Sequence, residues 1–133
     1  MSFATIDGIA TRYETIGAGP PLLMYAPGGF NAVIETWSTQ GIYATIKLLD
    51  HLPKHYTCIV FDRRECGQSG GRVEALTWAH YVAQGAGLLD HLGIARAHLM
   101  GGCMGSCPVT AFAVAHPRRV RSMVLWWPVG GAK

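Results

Sequence analysis

The segment Gly101-Gly102-Cys103-Met104-Gly105 holds a cysteine between glycines, where a short apolar run meets a stretch with helical spacing. A nucleophile elbow requires small residues two positions before and two positions after its nucleophile, because a Cβ there would collide with the neighbouring strand or helix. Gly101 and Gly105 meet this requirement. Unpaired N–H groups at the start of a helix stabilise negative charge and should favour the thiolate form of Cys103. The spacing therefore predicts a nucleophilic cysteine.

Other interpretations of Cys103 stay open. Small residues are common in strand-to-helix loops, so Cys103 is also consistent with an ordinary buried thiol. Cys107 lies four residues later and would share a helical face with Cys103, as a redox-sensing pair requires, although packing of Cys107 against the sheet is the simpler explanation. A metal site built from Cys66, Cys103 and a histidine has no support from the spacing, so no metal is predicted.

The elements that must hold this segment are those of an α/β domain. Four short apolar runs are typical of strands buried on both faces of a parallel sheet; they span residues 22–26, 58–61, 98–100 and 123–127. Residues 9–16 alternate loosely and predict one or two antiparallel strands. Helical spacing covers residues 76–92, closed by Gly93 as a C′ residue, and then residues 104–115. This order predicts a mostly parallel sheet with flanking helices and right-handed crossovers.

The composition indicates one domain without a membrane segment. Of the 133 residues 50% are hydrophobic and 14% are charged, against roughly 25% charged in an ordinary soluble domain. No apolar run approaches the roughly 20 residues of a membrane helix, and no signal peptide is recognisable, so we expect a cytoplasmic protein. The net charge of +3 is spread thinly. Its densest cluster, at Arg118, Arg119 and Arg121, is typical of a solvated turn, so nucleic acid is not expected as a partner.

Two further segments carry a family resemblance. Pro27-Gly28-Gly29-Phe30 follows the first buried strand, and the run from Asp62 to Ser69 follows the second. With the elbow, they make the chain resemble the α/β-hydrolase family, most closely its proline iminopeptidase-like branch. That branch usually has His where Pro27 stands, Gly where Glu65 stands and Ser where Cys103 stands. Cysteine nucleophiles occur elsewhere in the superfamily.

The resemblance implies a hydrolase acting on an ester, thioester or amide of a small-molecule acyl substrate, without a cofactor. Backbone N–H groups of Met104 and Gly29 would hold the oxyanion. Asp62 would be a structural residue paired with an arginine. The family's acid and histidine come after the strand that follows the elbow, so residues 1–133 are expected to be a partial, truncated hydrolase domain with weak activity alone. None of the six histidines matches the catalytic position.

The last predicted strand, from Met123 to Trp127, would be an uncovered edge of the sheet. Apolar edges invite pairing. We therefore expect this edge to meet a second copy of the chain, giving a homo-oligomer, or a C-terminal fragment that carries the acid and the histidine. The competing hypothesis is a non-catalytic remnant or interaction module that uses the same edge. The tryptophans would line an acyl pocket or pack in a core or interface; they are Trp37, Trp78, Trp126 and Trp127.

Overall fold

The computed structural model describes residues 2–6, 8–27, 32–39, 42–64, 66, 69, 78–102 and 105–126, with the backbone alone at positions 42 and 78. The strands are β1 (Ser2–Ile6), β2 (Ile9–Ile16), β3 (Pro21–Tyr25), β4 (Thr57–Phe61), β5 (Ala97–Gly102) and β6 (Val120–Trp126). Within the described residues they form one sheet in the order β1-β2-β4-β3-β5-β6. The helices are α1 (Thr36–Thr39), α2 (Ile42–Ile46), α3 (Leu48–His51), α4 (Trp78–His91) and α5 (Ser106–Ala115).

The four strands β3 to β6 are parallel, as the apolar runs predicted. β3 pairs with β4 on one side and with β5 on the other, and β5 pairs with β6. β1 and β2 form an antiparallel hairpin, whose second strand joins the sheet beside β4. The segment 9–16 is therefore one strand of an antiparallel pair, and its partner precedes it at residues 2–6.

Both faces of the central strands are covered by helices. Alternate side chains of a strand reach opposite faces of a sheet. Leu23 and Tyr25 of β3 pack in a core with α4 and α5. Leu22 and Met24 pack on the other face with buried residues of α1, α2 and α3. This two-sided burial explains why these runs are continuously apolar instead of alternating.

The strand β6 departs from this pattern. Its apolar run predicts burial on both faces, but Met123 and Val124 are 45% and 44% exposed, so that prediction is wrong. In the part of the chain that the structure describes, β6 pairs with β5 alone and ends the sheet. The predicted sheet edge therefore agrees with the described residues, up to Trp127, which lies outside them.

The helix α4 ends as the sequence predicted. Gly93 has φ +71, a left-handed conformation that glycine adopts without strain. Its N–H donates to the Asp90 carbonyl at 3.1 Å, and the N–H of Ile94 donates to the Leu89 carbonyl at 2.8 Å. These two hydrogen bonds are those of a Schellman motif. The predicted start of this helix, at residues 76 and 77, lies outside the described residues.

The helix α5 is described from Ser106 onward, two residues after its predicted start. Pro108 is its third residue, in the first turn, where a missing N–H costs no intrahelical hydrogen bond. After the helix, Arg119 pairs with Asp90 at 2.9 Å and donates to the Ile94 carbonyl at 2.8 Å. One member of the basic cluster thus ties β6 to the end of α4. None of the described helices is long and apolar enough to cross a membrane.

Candidate active site

The candidate site lies at the carboxyl ends of β3 and β5. The chain leads from β3 to β4 on one side of β3 and later returns to β5 on its other side. The strand order therefore reverses at β3 and β5, and α/β sheets bind ligands at such a switch point. Gly29 follows β3 in the sequence, and Cys103 and Met104 follow β5. These three residues lie outside the described residues, but their neighbours are described.

Gly101 and Gly105 are required by space. A Cβ on Gly101 would overlap the carbonyl oxygen of Gly105 and lie 2.8 Å from the backbone nitrogen of Ser106. A Cβ on Gly105 would overlap the carbonyl oxygen of Tyr25 and lie 2.8 Å from that of Ala26. Ser106 Oγ also donates to the Gly101 carbonyl at 3.3 Å across the turn. The end of β5, the start of α5 and the end of β3 therefore meet through backbone atoms.

An aromatic wall borders the last residue of β5. A Cβ on Gly102 would lie 2.7 Å from the Tyr43 hydroxyl oxygen and 3.3 Å from Pro27 Cβ. Tyr43 is buried and packs edge-on against the fully buried Trp37, with ring centroids 5.5 Å apart. Trp37 therefore packs in the core, and Tyr43 is the aromatic residue beside the turn. Nothing in the sequence pattern singled out Tyr43, because it stands in a five-residue helix without a motif.

An ion-pair cluster in which two members are buried and Glu35 is exposed lies beside the segment that follows the predicted oxyanion loop. We call it the Arg12 cluster: Arg12, Glu35 and Asp62. Arg12 donates to both carboxylate oxygens of Glu35, at 2.8 and 3.0 Å, and reaches both oxygens of Asp62 at 3.4 Å. Asp62 Oδ1 also accepts the backbone N–H of Ile34 at 2.8 Å. The predicted pairing of Asp62 with an arginine is confirmed, and the arginine is Arg12.

Further hydrogen bonds fix the backbone around Asp62. Ser69 Oγ accepts the N–H of Arg12 at 2.9 Å and donates to the Asp62 carbonyl at 2.7 Å. Gln84 Nε2, from α4, donates to the same carbonyl at 3.2 Å. Gln84 Oε1 accepts the N–H of Arg64 at 2.9 Å. Ser69 and Gln84 therefore hold the backbone at Asp62 and Arg64 against β2 and α4.

The charges of the Arg12 cluster stabilise one another. The hydrogen bond from Arg12 holds the pKa of Glu35 below its ordinary value. The same hydrogen bond raises the pKa of Arg12, against the opposing effect of burial. Both groups are therefore ionised at neutral pH.

Tyr25 at the end of β3 and Arg63 after β4 are buried. Tyr25 donates its hydroxyl to the Tyr81 carbonyl at 2.7 Å, and burial raises the pKa of Tyr25. The guanidinium of Arg63 lies 5.3 Å from the centroid of the Tyr81 ring. On the other face of the sheet, burial raises the pKa of Cys58 to about 11, so Cys58 is an unreactive thiol at neutral pH.

Residues 21–128 match the model of the α/β hydrolase fold family. This chain belongs to that family. The match begins at the first residue of β3 and includes all four parallel strands. The resemblance drawn from the sequence is therefore confirmed at the level of the family.

The relatives differ in their named activities. The chain is 34% identical over 128 residues to the dihydrolipoyllysine-residue acetyltransferase component of the acetoin cleaving system of Cupriavidus necator, covering 96% of this chain and 32% of the relative. It is 32% identical over 131 residues to a 2-hydroxy-6-oxo-2,4-heptadienoate hydrolase of Pseudomonas putida, covering 92% of this chain and 42% of the relative. A putative carbamate hydrolase of Azorhizobium caulinodans is 29% identical over 113 residues, 85% of this chain and 39% of the relative. The chain thus spans less than half the length of each.

Solved structures share the fold. A meta-cleavage product hydrolase from Pseudomonas fluorescens superposes with a TM-score of 0.84 at 23% identity, covering 100% of this chain and 47% of its own. A hydrolase from Pseudomonas aeruginosa gives a TM-score of 0.80 at 27% identity, covering 93% of this chain and 44% of its own. The predicted fold class, an α/β-hydrolase-type sheet, is confirmed. The proline iminopeptidase-like branch stays a prediction, because these relatives are named for other reactions.

Three histidines of this α/β hydrolase domain have contacts away from the turn between β5 and α5. His98 Nδ1 lies 2.6 Å from Ser122 Oγ, between neighbouring strands. The ring of His116 packs on Phe112, and the ring of His91 contacts an aromatic ring of β2. No group of three or more His, Cys, Asp or Glu residues suited to a metal ion occurs in the described ranges.

The structure describes part of the predicted site. Gly101 and Gly105 are described, and neighbouring backbone atoms leave no room for a Cβ on either. The residues that sequence reasoning missed are Arg12, Glu35 and Tyr43, which meet the site only through the fold. The predicted residues outside the described ranges are Gly29, Glu65, Cys103, Met104 and Trp127, together with the side chain of Trp78.

Proposed function

We propose that this chain carries the nucleophile of a hydrolase that cleaves an ester, thioester or amide through Cys103. The observation that supports it best is the backbone crowding at Gly101 and Gly105, which leaves no room for a Cβ at either position. An elbow this tight, at the carboxyl edge of the sheet, is the setting in which family members present a nucleophile. Cys103 lies midway between the two glycines.

The proposed reaction proceeds in two steps. The Cys103 thiolate attacks the carbonyl carbon, and the N–H groups of Met104 and Gly29 stabilise the oxyanion. The bond from carbon to the leaving oxygen, sulfur or nitrogen then breaks, and the leaving group takes up a proton. Water hydrolyses the resulting thioester, which releases the acid and restores the thiol. The proton transfers require an acid and a histidine from outside this sequence, in a complementing segment.

The substrate class is a small molecule with an electrophilic carbonyl carbon. Two relatives are named hydrolases of an oxo-dienoate and of a carbamate, and both of these compounds contain such a carbon. The pattern from Asp62 to Ser69 instead supports the proline iminopeptidase-like branch, whose substrate is an amide. Relative rates of a matched aryl ester, thioester and aryl amide distinguish these possibilities within the proposal.

The decisive experiment separates acylation from turnover. Since losing triad partners costs several orders of magnitude in rate, on the order of 10³–10⁶, the chain alone should release a stoichiometric burst from an activated aryl ester and then stop. Intact mass and peptide mapping should locate the acyl group on Cys103. Cys103→Ala should abolish the burst, whereas Cys107→Ser should keep it. Absent labelling, or equal labelling of the four cysteines, would contradict the proposal.

A second candidate is a non-catalytic module that pairs through β6. The observation that favours it is the exposure of Met123 and Val124 on the strand that ends the described sheet. Its partner is a second copy of the chain or a fragment that carries the acid and the histidine. This candidate is favoured over the hydrolase if the unsubstituted chain gives no acyl burst and if both it and Cys103→Ala still pair.

A further inference from the structure

Four arginines lie at the amino ends of β5 and β6, at the end of the sheet opposite the candidate site. Arg96 directly precedes β5. Arg118 and Arg119 are the last two residues before β6, and Arg121 is its second residue. The residues that follow Arg96 and Arg119 are paired with each other in the ladder of β5 and β6. Since neighbouring strands lie about 4.8 Å apart, these segments are close in space. We call the four residues the arginine group.

Arg119 fixes the segment that precedes β6. It pairs with Asp90 of α4 at 2.9 Å and donates to the carbonyls of Ile94 and Ala95, at 2.8 and 3.1 Å. Ala95 is next to Arg96 in the chain. The two backbone segments that carry the arginine group are therefore tied together. The carboxylate that the described residues bring to them, that of Asp90, is already bound.

The other three arginines have no such partner. Arg96, Arg118 and Arg121 are exposed, and no ion pair or side-chain hydrogen bond in the described part of the chain includes them. Like charges that lie close together repel one another, and an added negative charge relieves that repulsion. The arginine group is therefore a surface suited to an acidic partner.

Arg121 also shapes the edge of the sheet. The ladder with β5 passes from the pair that contains Val120 directly to the pair that contains Ser122, so Arg121 faces no residue of β5. Such a bulge bends its strand, and bulges and charged side chains both protect sheet edges against pairing with other chains. The amino end of β6 is thus closed to a strand that brings no negative charge.

The rest of β6 is open and apolar. Met123 and Val124 are 45% and 44% exposed, and β6 ends the described sheet. Met123 is paired with Leu99 and Val124 with Met100. Leu99 and Met100 pack in the cores on opposite faces of the sheet. A strand that lies beside β6 must therefore bring apolar side chains to both faces, which requires a continuous apolar run.

We propose that β6 and the arginine group dock an extended segment of another polypeptide, in which acidic residues flank a short apolar run. The apolar run adds a strand beside residues 122–126, and the carboxylates pair with Arg118 and Arg121. The inference rests on the pairing through β6 proposed above, and it adds the chemistry of the partner.

Charge distinguishes this partner from a second copy of the chain. Residues 117–126 contain three arginines and no acidic residue. A second copy that pairs through its own β6 therefore matches the apolar part of the edge but leaves the arginines without carboxylates. The acidic segment should consequently displace a second copy from this edge.

The test measures the binding of fluorescent peptides to the full chain by anisotropy. One peptide has a run of five apolar residues with three glutamates at each end, so that either strand direction brings carboxylates to the arginine group. The matched peptide has glutamines in place of the glutamates. We expect the glutamate peptide to bind about tenfold more tightly at low salt, the combined effect of about three exposed ion pairs. The ratio should fall towards one as salt screens the charges.

Two variants locate the contacts. Arg118→Gln combined with Arg121→Gln should reduce the preference for the glutamate peptide to about twofold and leave the affinity for the glutamine peptide unchanged. Val124→Lys should weaken the binding of the glutamine peptide, because it places a charge on the apolar edge. Lys54→Gln is the matched control and should change neither affinity. Lys54 is exposed, but it precedes β4, which β3 and β5 separate from β6.

Other outcomes overturn the inference. Equal binding of the two peptides would show pairing through β6 without a preference for acidic residues. If a peptide of glutamates alone, or a single-stranded oligonucleotide, binds as tightly as the complete glutamate peptide, the arginine group binds polyanions in general. A self-associated chain that the glutamate peptide does not dissociate would show that a second copy is the occupant. A chain that binds neither peptide and stays monomeric at every concentration would contradict the pairing through β6 itself.

Discussion

At the turn between β5 and α5, the two glycines are required by space and not by conformation. Gly105 has φ −67 and ψ −16, which any residue adopts. What excludes a side chain is the carbonyl oxygens of Tyr25 and Ala26, which belong to the end of β3 and its neighbour. These atoms form part of the backbone and cannot move aside as a flexible side chain would. The tightness of the turn therefore depends on the contact between α5 and β3.

Gly105→Ala should destabilise the fold and impair the site. The added Cβ would push α5 away from β3, and we expect a loss of about 1–3 kcal/mol in the free energy of unfolding, as for other overpacked positions. Urea unfolding measures the loss, and ester labelling of Cys103 measures the effect on the site. Gly8→Ala is the control, because its Cβ meets nothing within 4 Å while its φ of +75 imposes strain alone. Equal labelling in the two variants would contradict the assignment of Gly105 to the elbow.

The Glu35 carboxylate should give the fold a pH dependence. Its folded pKa lies below the ordinary value of 4.5 because of the hydrogen bond from Arg12. The stabilisation is therefore complete above that ordinary value and is lost as the pH falls through the lowered folded pKa. Because Glu35 is largely exposed, we expect less than about 1 kcal/mol. Urea unfolding measured from neutral to acid pH should show that the difference in the free energy of unfolding between the unsubstituted chain and Glu35→Gln shrinks as the pH falls. A difference that does not change with pH would exclude this ion pair as its source.

At the scale of elements, the sequence predicted the strands that are marked by a continuous apolar run and the helices that are marked by a long helical periodicity. The runs of β3, β4 and β5 were located to within two residues of their observed ends, because both faces are covered. β6 has the same kind of run but is exposed, since apolar composition reports a capacity for burial and not the presence of a neighbour. The short helices α1 to α3 were not delimited, because four or five residues hold little more than one helical turn.

In the candidate site, too, local features were predictable from the sequence and long-range contacts were not. The spacing of Gly101 and Gly105 was legible because the turn is local in sequence. The Arg12 cluster was not, since its members are separated by 23 and 50 positions and come together only when β2 enters the sheet beside β4. The family pattern predicted an arginine for Asp62 but did not identify Arg12.

The end of α4 allows a test of a purely local prediction. Gly93 has φ +71 and open space around a Cβ, so substitution there meets strain without a clash. Gly93→Ala should cost about 1–2 kcal/mol, and Gly93→Asn should cost less, because asparagine tolerates the left-handed region. The midpoints of urea unfolding show which of the two variants loses more stability. Equal losses would mean that the Schellman motif does not determine the stability of this helix end.

At the scale of the whole molecule, the two edges of the described sheet differ. The hairpin edge is tied to the candidate site, because Arg12 of β2 links it to the segments after β3 and β4. The opposite edge is β6, where Met123 and Val124 are exposed. The site thus lies between a cross-linked edge and an apolar one, and partners of the domain are expected at the apolar edge.

Self-association through β6 should follow from that asymmetry. An apolar edge strand offers unpaired N–H and carbonyl groups to a second copy, and a charged side chain on the edge blocks such pairing. We expect light scattering after size exclusion to show a mass that rises with concentration, and Val124→Lys to return the chain to the monomer. Val114→Lys is the matched control: Val114 is 79% exposed on α5, away from the edge, so its substitution should leave association unchanged. A chain that stays monomeric at every concentration would refute pairing through β6. Equal effects of the two substitutions would instead show that association depends on exposed apolar side chains in general.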